Sequence, residues 1–270
     1  TSVSTKIELQ PIDDDGSNIP PETAYHSMVA IESNIYIFGG QYRTSIDILA
    51  NDLYKIETND TNMYNSTKIT LIPINDDVSN IPTPRYQHSM VAIESNIYIF
   101  GGETNDGKLN DFYKIDTTTN YSTKIELLPE TSKPPPSYDN YMTVIGNYIY
   151  IFDGTTDSGR LNDLYKIDTE GNSTQITIDN TDELRNPGSI VTINNNIYKV
   201  IMQCSTRGKS QFSTEEFEIT STGLQKLIKI TPTIRDHHLN GNIAELRINN
   251  VITSDSDIID NYNNLDNKYN

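Results

Sequence analysis

The chain has 270 residues, 35% of them hydrophobic, a formal net charge of −17 and a single cysteine. Its length allows one large all-β domain or two ordinary ones, and its charge disfavours nucleic-acid phosphates and anionic membrane surfaces, both of which call for clustered Lys and Arg. Lone Cys204 excludes an intramolecular disulfide framework, and apolar runs only a few residues long exclude a membrane-spanning helix.

Taken from the start, STKIELQPIDDD (4–15) alternates apolar and polar residues as a half-exposed strand does, and it matches the end of later units instead of the start of one. The first full unit opens with HSMVAIES (26–33), turns at Glu-Ser-Asn and continues as NIYIFGG (34–40), a β-hairpin pattern. A polar loop leads to NDLYKIET (51–58) and then to STKITLIPI (66–74). Four strands per unit are predicted. In NIYIF the apolar residues are continuous, as in a strand buried on both faces. The last strand is the most polar, as at an outer rim.

The fourteen residues SMVAIESNIYIFGG (27–40) recur unchanged at 89–102, followed by NDFYKIDT (110–117) and STKIELLPE (122–130). A third copy reads YMTVIGNYIYIFDG (141–154) with NDLYKIDT (162–169), and a worn fourth reads SIVTINNNIYKVIM (189–202). Gly39, Gly101, Asp153 and Ile201 stand at equivalent positions, spaced by 62, 52 and 48 residues. A period of this size marks stacked units that bury a shared core. Clear repeats cover 20–74, 82–130 and 134–178, a degenerate one covers 186–231, and 253–270 is expected to be a polar tail.

These residues resemble the kelch-repeat family. The likeness rests on the Gly39-Gly40 and Gly101-Gly102 doublets that close the second strand, on the aromatic third strands, and on Pro84-Arg85-Tyr86-Gln87-His88 leading into a first strand. Tryptophan is absent from the chain, and Tyr54, Tyr113 and Tyr165 stand where the family usually has it. The resemblance implies an all-β fold, a kelch-type β-propeller of four-stranded antiparallel blades over residues 1–252. Two closures are expected to be open to it. Residues 4–15 complete a composite fifth blade with 232–252, or the chain, which starts at Thr1, is a piece of a larger propeller.

No cofactor or metal is expected. His26 and His88 recur at one repeat position, as a feature of the strand would, and adjacent His237 and His238 would point to opposite faces of a strand. Asp13 to Asp15 and Asp76-Asp77 lack the alternating oxygen spacing of a calcium loop, and Cys204 is expected to pack as a small apolar group. Family relatives include a copper oxidase, sugar-processing and iron-dependent propellers, but no acid, base or nucleophile constellation here supports their chemistry. Sequons at Asn59, Asn65, Asn120 and Asn172 read first as turn residues.

The expected function is that of a non-catalytic interaction scaffold or adaptor that binds another protein, basic or neutral, in the cytoplasm. The alternative is an extracellular glycan-binding or sugar-processing propeller whose sequons are used. Loops of variable length on a constant frame carry specificity, and strand alternation puts the loops joining second to third strands at the same end as those joining one blade to the next. Candidate contacts are Tyr42, Arg43, Asp106, Lys108, Asp157 and Arg160 from the first loop set, with Arg85 and Tyr138 from the second.

Overall fold

The structure, a computed structural model, describes residues 9–11, 17–43, 48–58, 64–152, 154–161, 163–176, 188–193, 196–204, 210–220 and 223–230. All of them belong to one unit of the chain, Thr1–Thr233. The composite fifth blade expected to involve 232–252, the tail, His237, His238 and the Asp13 to Asp15 run lie outside the described residues.

Four successive sheets follow the repeat. The first blade holds β1 (Leu9–Pro11), β2 (Thr23–Ala24), β3 (Ser27–Ile31), β4 (Asn34–Phe38), β5 (Gln41–Tyr42), β6 (Leu53–Thr58) and β7 (Tyr64–Ile69). The second comprises β8 (Ile72–Pro73), β9 (Ser89–Ile93), β10 (Asn96–Phe100), β11 (Glu103–Thr104), β12 (Gly107–Lys108), β13 (Phe112–Asp116) and β14 (Tyr121–Ile125). The third comprises β15 (Tyr141–Ile145), β16 (Tyr148–Phe152), β17 (Thr155–Thr156), β18 (Gly159–Arg160), β19 (Leu164–Asp168) and β20 (Ser173–Ile176), and the fourth β21 (Gly188–Ile193), β22 (Asn196–Cys204), β23 (Ser210–Thr220) and β24 (Gly223–Ile230). In each blade the four long strands run antiparallel in simple order. The degenerate fourth copy keeps the register of the first, Ser189 opposite Val200 where the first blade has Ser27 opposite Phe38.

Two-residue turns join first to second strands. Glu32, Glu94 and Gly146 take φ of 53°, 54° and 58° there, the left-handed region that tight hairpins require. The innermost strands β3, β9, β15 and β21 touch in succession, and hydroxyls tie the blades together at this inner edge. Ser27 Oγ donates to the His88 carbonyl at 2.6 Å, and Ser89 Oγ donates to that of Asn140.

The continuous apolar second strand is sandwiched as its sequence requires. Ile97 and Ile99 pack with Tyr36, Phe38 and Leu53 of the first blade, while alternate residues Tyr98 and Phe100 pack with Ile149, Ile151, Tyr165 and Ile167 of the third. Tyr150, Phe152 and Leu164 repeat the arrangement against Ile197 of the fourth. Each large apolar side chain buried in this way contributes roughly 1.5–3 kcal/mol.

The outer edge departs from the four-stranded expectation. The predicted strand 66–74 is two strands: β7 ends at Ile69, and the chain then crosses so that β8 lies parallel to β14 of the next blade, Ile72 opposite Tyr121. The same step recurs on both sides, with Leu9 opposite Tyr64 and Leu128 opposite Asn172, all parallel. The cause is in the Leu-x-Pro at 9–11, 71–73 and 127–129. Leu127 turns into the core at 1% exposure, and the following segment covers an edge that would otherwise leave unpaired backbone groups. Thus Leu9–Pro11 belongs to the outer edge of the first blade. Three short 3-10 turns, Ile74–Asp76, Val78–Asn80 and Glu130–Ser132, follow these crossings.

Candidate functional site

At one end of the blades, the loop joining second to third strand is bonded on two sides. Within its own blade it pairs with the lead-in to the first strand: Ala24 opposite Gln41, Tyr86 opposite Glu103, Tyr138 opposite Thr155. Across the blade boundary, the Gly40 N–H donates to the Arg85 carbonyl at 2.8 Å and the Gly102 N–H to the Ser137 carbonyl at 2.9 Å. The glycine doublet is therefore explained by the neighbouring blade. A Cβ on Gly101, at φ +63°, would stand 2.8 Å from the Ser137 carbonyl oxygen and 2.9 Å from Asn140 Nδ2. These bonds place both loop sets on the same face and anchor the loop backbones.

Arg85 is not on that surface. It is fully buried, and its guanidinium makes a bidentate pair with Asp111 at 2.6 and 2.9 Å, donates to the Gly101 carbonyl and to both the carbonyl and Oγ1 of Thr83, and lies 5.3 Å from the Tyr113 ring centre. The expectation that Arg85 contacts a partner is corrected: it is a staple inside the second blade. Burial, followed by the nearby Asp111 carboxylate, pushes the Tyr113 hydroxyl up to about 12.

Three of the other predicted residues converge. The Lys108 ammonium pairs with the Asp157 carboxylate and sits 5.5 Å from the Tyr138 ring centre, so the hairpins of the second and third blades and the lead-in of the third meet at one point. Asp157 remains 92% exposed. The hydrogen bond to it, and then its charge, hold Lys108 above its ordinary range. Asp106 is exposed at the tip of its hairpin, its N–H held by Thr104 Oγ1 at 3.1 Å. Arg160, half-buried, stands opposite Thr155 in the matching hairpin. In the first blade Tyr42 pairs with Thr23, and exposed Arg43 donates its N–H to the Glu22 carbonyl.

Further residues of this face escaped sequence reasoning. Tyr25, Gln87 and Asp139 occupy one repeat position with φ of 60°, 52° and 54°, and their backbones are linked, Gln87 N–H to the Tyr25 carbonyl and Asp139 N–H to that of Gln87, both at 3.0 Å. Gln87 Nε2 also donates to Asp139 Oδ1 at 2.8 Å. Tyr25 is 57% exposed and lies 6.1 Å from the Tyr86 ring, whose hydroxyl donates to Glu103. Burial and Glu103 push that hydroxyl up to about 12. Aligning the lead-ins, and not only the strands, would have found this row.

The metal-like residues that the structure describes have structural places. His88 is buried edge-on against Phe38 at 5.3 Å and neither ring nitrogen has a hydrogen-bond partner, while exposed His26 donates to the Thr23 carbonyl. Asp77 caps the Ser79 N–H in an exposed turn. Among the described residues no three His, Cys, Asp or Glu side chains are grouped to hold a metal ion, and no helix is long and apolar enough to cross a membrane. Of the sequons, Asn65 and Asn172 precede the equivalent buried Ser66 and Ser173, whereas Asn120 stands one residue earlier than its counterparts.

A family model described as the KLHDC2/KLHL20/DRC7 Kelch-repeats domain matches residues 25–217. The chain is 28% identical over 183 residues to tip elongation aberrant protein 3 of Schizosaccharomyces pombe, covering 57% of this chain and 16% of that protein. It is 28% identical over 153 residues to the N-(sulfonatooxy)prop-2-enimidothioate sulfolyase of Thlaspi arvense, covering 56% and 41%. With the Rho GTPase-activating protein gacHH of Dictyostelium discoideum it shares 31% over 165 residues, covering 58% and 10%. The match spans less than half the length of each of these curated relatives.

Proposed function

Because the chain belongs to the kelch-repeat family, we propose that its blades form a non-catalytic interaction module that binds a partner protein through the face built from the second-to-third-strand hairpins and the blade lead-ins. The observation that carries this reading is the anchoring of those hairpins, all three to their own lead-in and the first two also to the next blade. Loops whose backbone is held in place before binding lose little freedom on association. Tyr25, Tyr42 and Tyr138 supply the amphipathic aromatic area that interface anchors favour. Arg43, Asp106, Asp157 and Arg160 supply charge of both signs around them, and Lys108 joins two hairpins into one surface. Sulfolyase chemistry is said of the Thlaspi protein only. On this face the titratable side chains engage one another, Tyr86 with Glu103 and Lys108 with Asp157, an arrangement suited to a stable contact surface. Cytoplasmic residence goes with this reading, supported by a chain that carries one cysteine.

The test uses a partner identified by affinity capture and confirmed with purified components. Charge reversals at Arg43, Lys108 and Arg160 are expected to weaken its binding roughly tenfold or more, with an unchanged melting temperature for exposed Arg43 and a modest loss for Lys108, which is paired with Asp157, and for half-buried Arg160. Insensitivity to all three, with sensitivity to reversal of Glu32 and Glu94, would move the partner to the opposite face and sink the proposal.

A further inference from the structure

At the opposite end of the first and second blades a groove of about 630 Å³ opens between two identical turns. It is lined by Ala30, Ile31, Tyr36 and Ala92, with Thr117 and Thr118 of the second blade. Its lips carry Glu32 and Glu94, both exposed. This follows from the duplication of SMVAIESNIYIFGG, since two copies of one turn on neighbouring blades put the same glutamate on either side of one groove. Among the described residues neither carboxylate makes an ion pair, and no Lys or Arg lines the groove. Nearby, Asp116 accepts from the Thr118 N–H at 2.8 Å and from its hydroxyl at 2.6 Å, which adds a third negative charge at this end.

We propose that this groove docks a lysine- or arginine-bearing segment of a partner protein, its aliphatic stem on Ala30, Ala92 and Tyr36 and its cationic head between Glu32 and Glu94. Charge complementarity selects the occupant. A long basic side chain covers apolar surface with its methylenes while its head stays at the polar lip, and an acidic or phosphorylated segment would meet two uncompensated carboxylates. The groove is separate from the hairpin face, so either reading can fail without the other.

Fluorescence anisotropy with a fluorescein-labelled peptide of alternating alanine and lysine tests the proposal, with an alanine–glutamine peptide as its neutral counterpart. The lysine peptide is expected to bind saturably and roughly tenfold more tightly than the neutral one, with the double variant E32Q/E94Q removing most of that difference. A30L, which fills the groove from an exposed position, is expected to weaken the lysine peptide as well. The charge-matched control E126Q/E130Q, on the outer edge, is expected to leave affinity within about twofold. Equal losses in E32Q/E94Q and E126Q/E130Q would assign binding to the diffuse field of an acidic chain and overturn the proposal. So would equal affinity for the two peptides, or a loss on reversing Arg43 and Lys108.

Discussion

Arg85 illustrates how burial reassigns a charged residue. Five hydrogen bonds to Thr83, Gly101 and Asp111 satisfy every donor of a guanidinium, so nothing remains for a partner. Removing it leaves the Asp111 carboxylate, 12% exposed, without its counter-charge. Arg85→Ala is expected to lose about 3–5 kcal/mol of unfolding free energy in urea titrations, and Arg85→Lys to recover little, because an ammonium cannot make the bidentate pair. A loss under about 1 kcal/mol in Arg85→Ala would contradict the staple. His88 gives the residue scale a pH signature. Burial first, then the charges of Arg85 and His26, push its imidazole down to about 3, and only the nearby Phe38 carbonyl works the other way, in a geometry short of a hydrogen bond. An unfolded histidine titrates near 6.5. Below that pH the unfolded chain takes up a proton that the folded blade refuses, so stability falls as pH drops from 6.5 towards 3 and is unaffected above 6.5. The slope is about 1.4 kcal/mol per pH unit in mid-window. The third blade carries Asn140 at this position, donating to the Ser137 carbonyl at 3.2 Å, so His88→Asn is expected to flatten that part of the pH–stability profile. An unchanged slope in the variant would place the acid sensitivity elsewhere.

At the level of elements, the second strand and its glycines form one device. Ile97 to Phe100 are sealed on both faces by neighbouring blades, and the chain must then leave the sandwich where the next lead-in presses against it. Gly101 is the residue at that exit. Gly101→Val would bring a branched side chain to a left-handed φ and into the Ser137 carbonyl, and is expected to cost roughly 1–3 kcal/mol, measurable as a lower melting temperature. If the variant melted within a degree of the parent, the close approach of the two blades would be refuted. The crossing segments are the second device of this scale. Ser122 Oγ donates to the Asn80 carbonyl at 2.6 Å, the Lys124 N–H donates to Asn80 Oδ1 at 2.8 Å, and Lys68 makes the same bond to Asn18. Two buried asparagines thereby tie each linker to the fourth strand of its blade.

For the molecule as a whole, stability in an array of this kind is a sum of blade and interface contributions. The interfaces are the three apolar clusters between successive blades. Nothing in those clusters requires a metal or a disulfide. Thermal melts in chelator and in reductant are therefore expected to superimpose on melts in buffer alone, and a shift of more than a few degrees in either would show that a bound metal or a covalent link holds the described blades. The acidic balance of the chain, −17 in all, adds self-repulsion, so moderate salt is expected to raise the melting point slightly.

The sequence by itself determined the blade. A fourteen-residue duplication, continuous apolar second strands and a turn every few residues specify strand order and register locally, and even the worn fourth copy, which lacks both glycines, pairs in the register of the first. Hairpin register depends on turn geometry and on which face is apolar, and both are written within a few residues. What lies between blades depended on contacts from distant parts of the chain, which no local pattern encodes. Pro84-Arg85-Tyr86 looks like an exposed basic lead-in, yet Asp111 and Gly101 surround its guanidinium. Leu-x-Pro reads as the end of a strand, yet the next blade's edge draws it across. Lys108 and Asp157, 49 residues apart, meet because their hairpins repeat on adjacent blades, and Glu32 and Glu94 frame one groove for the same reason. Folding of the second blade on itself decided the place of Arg85, and packing one copy of the repeat against the next decided the other three outcomes, because each of those depends on the geometry between blades and not on the residues within one.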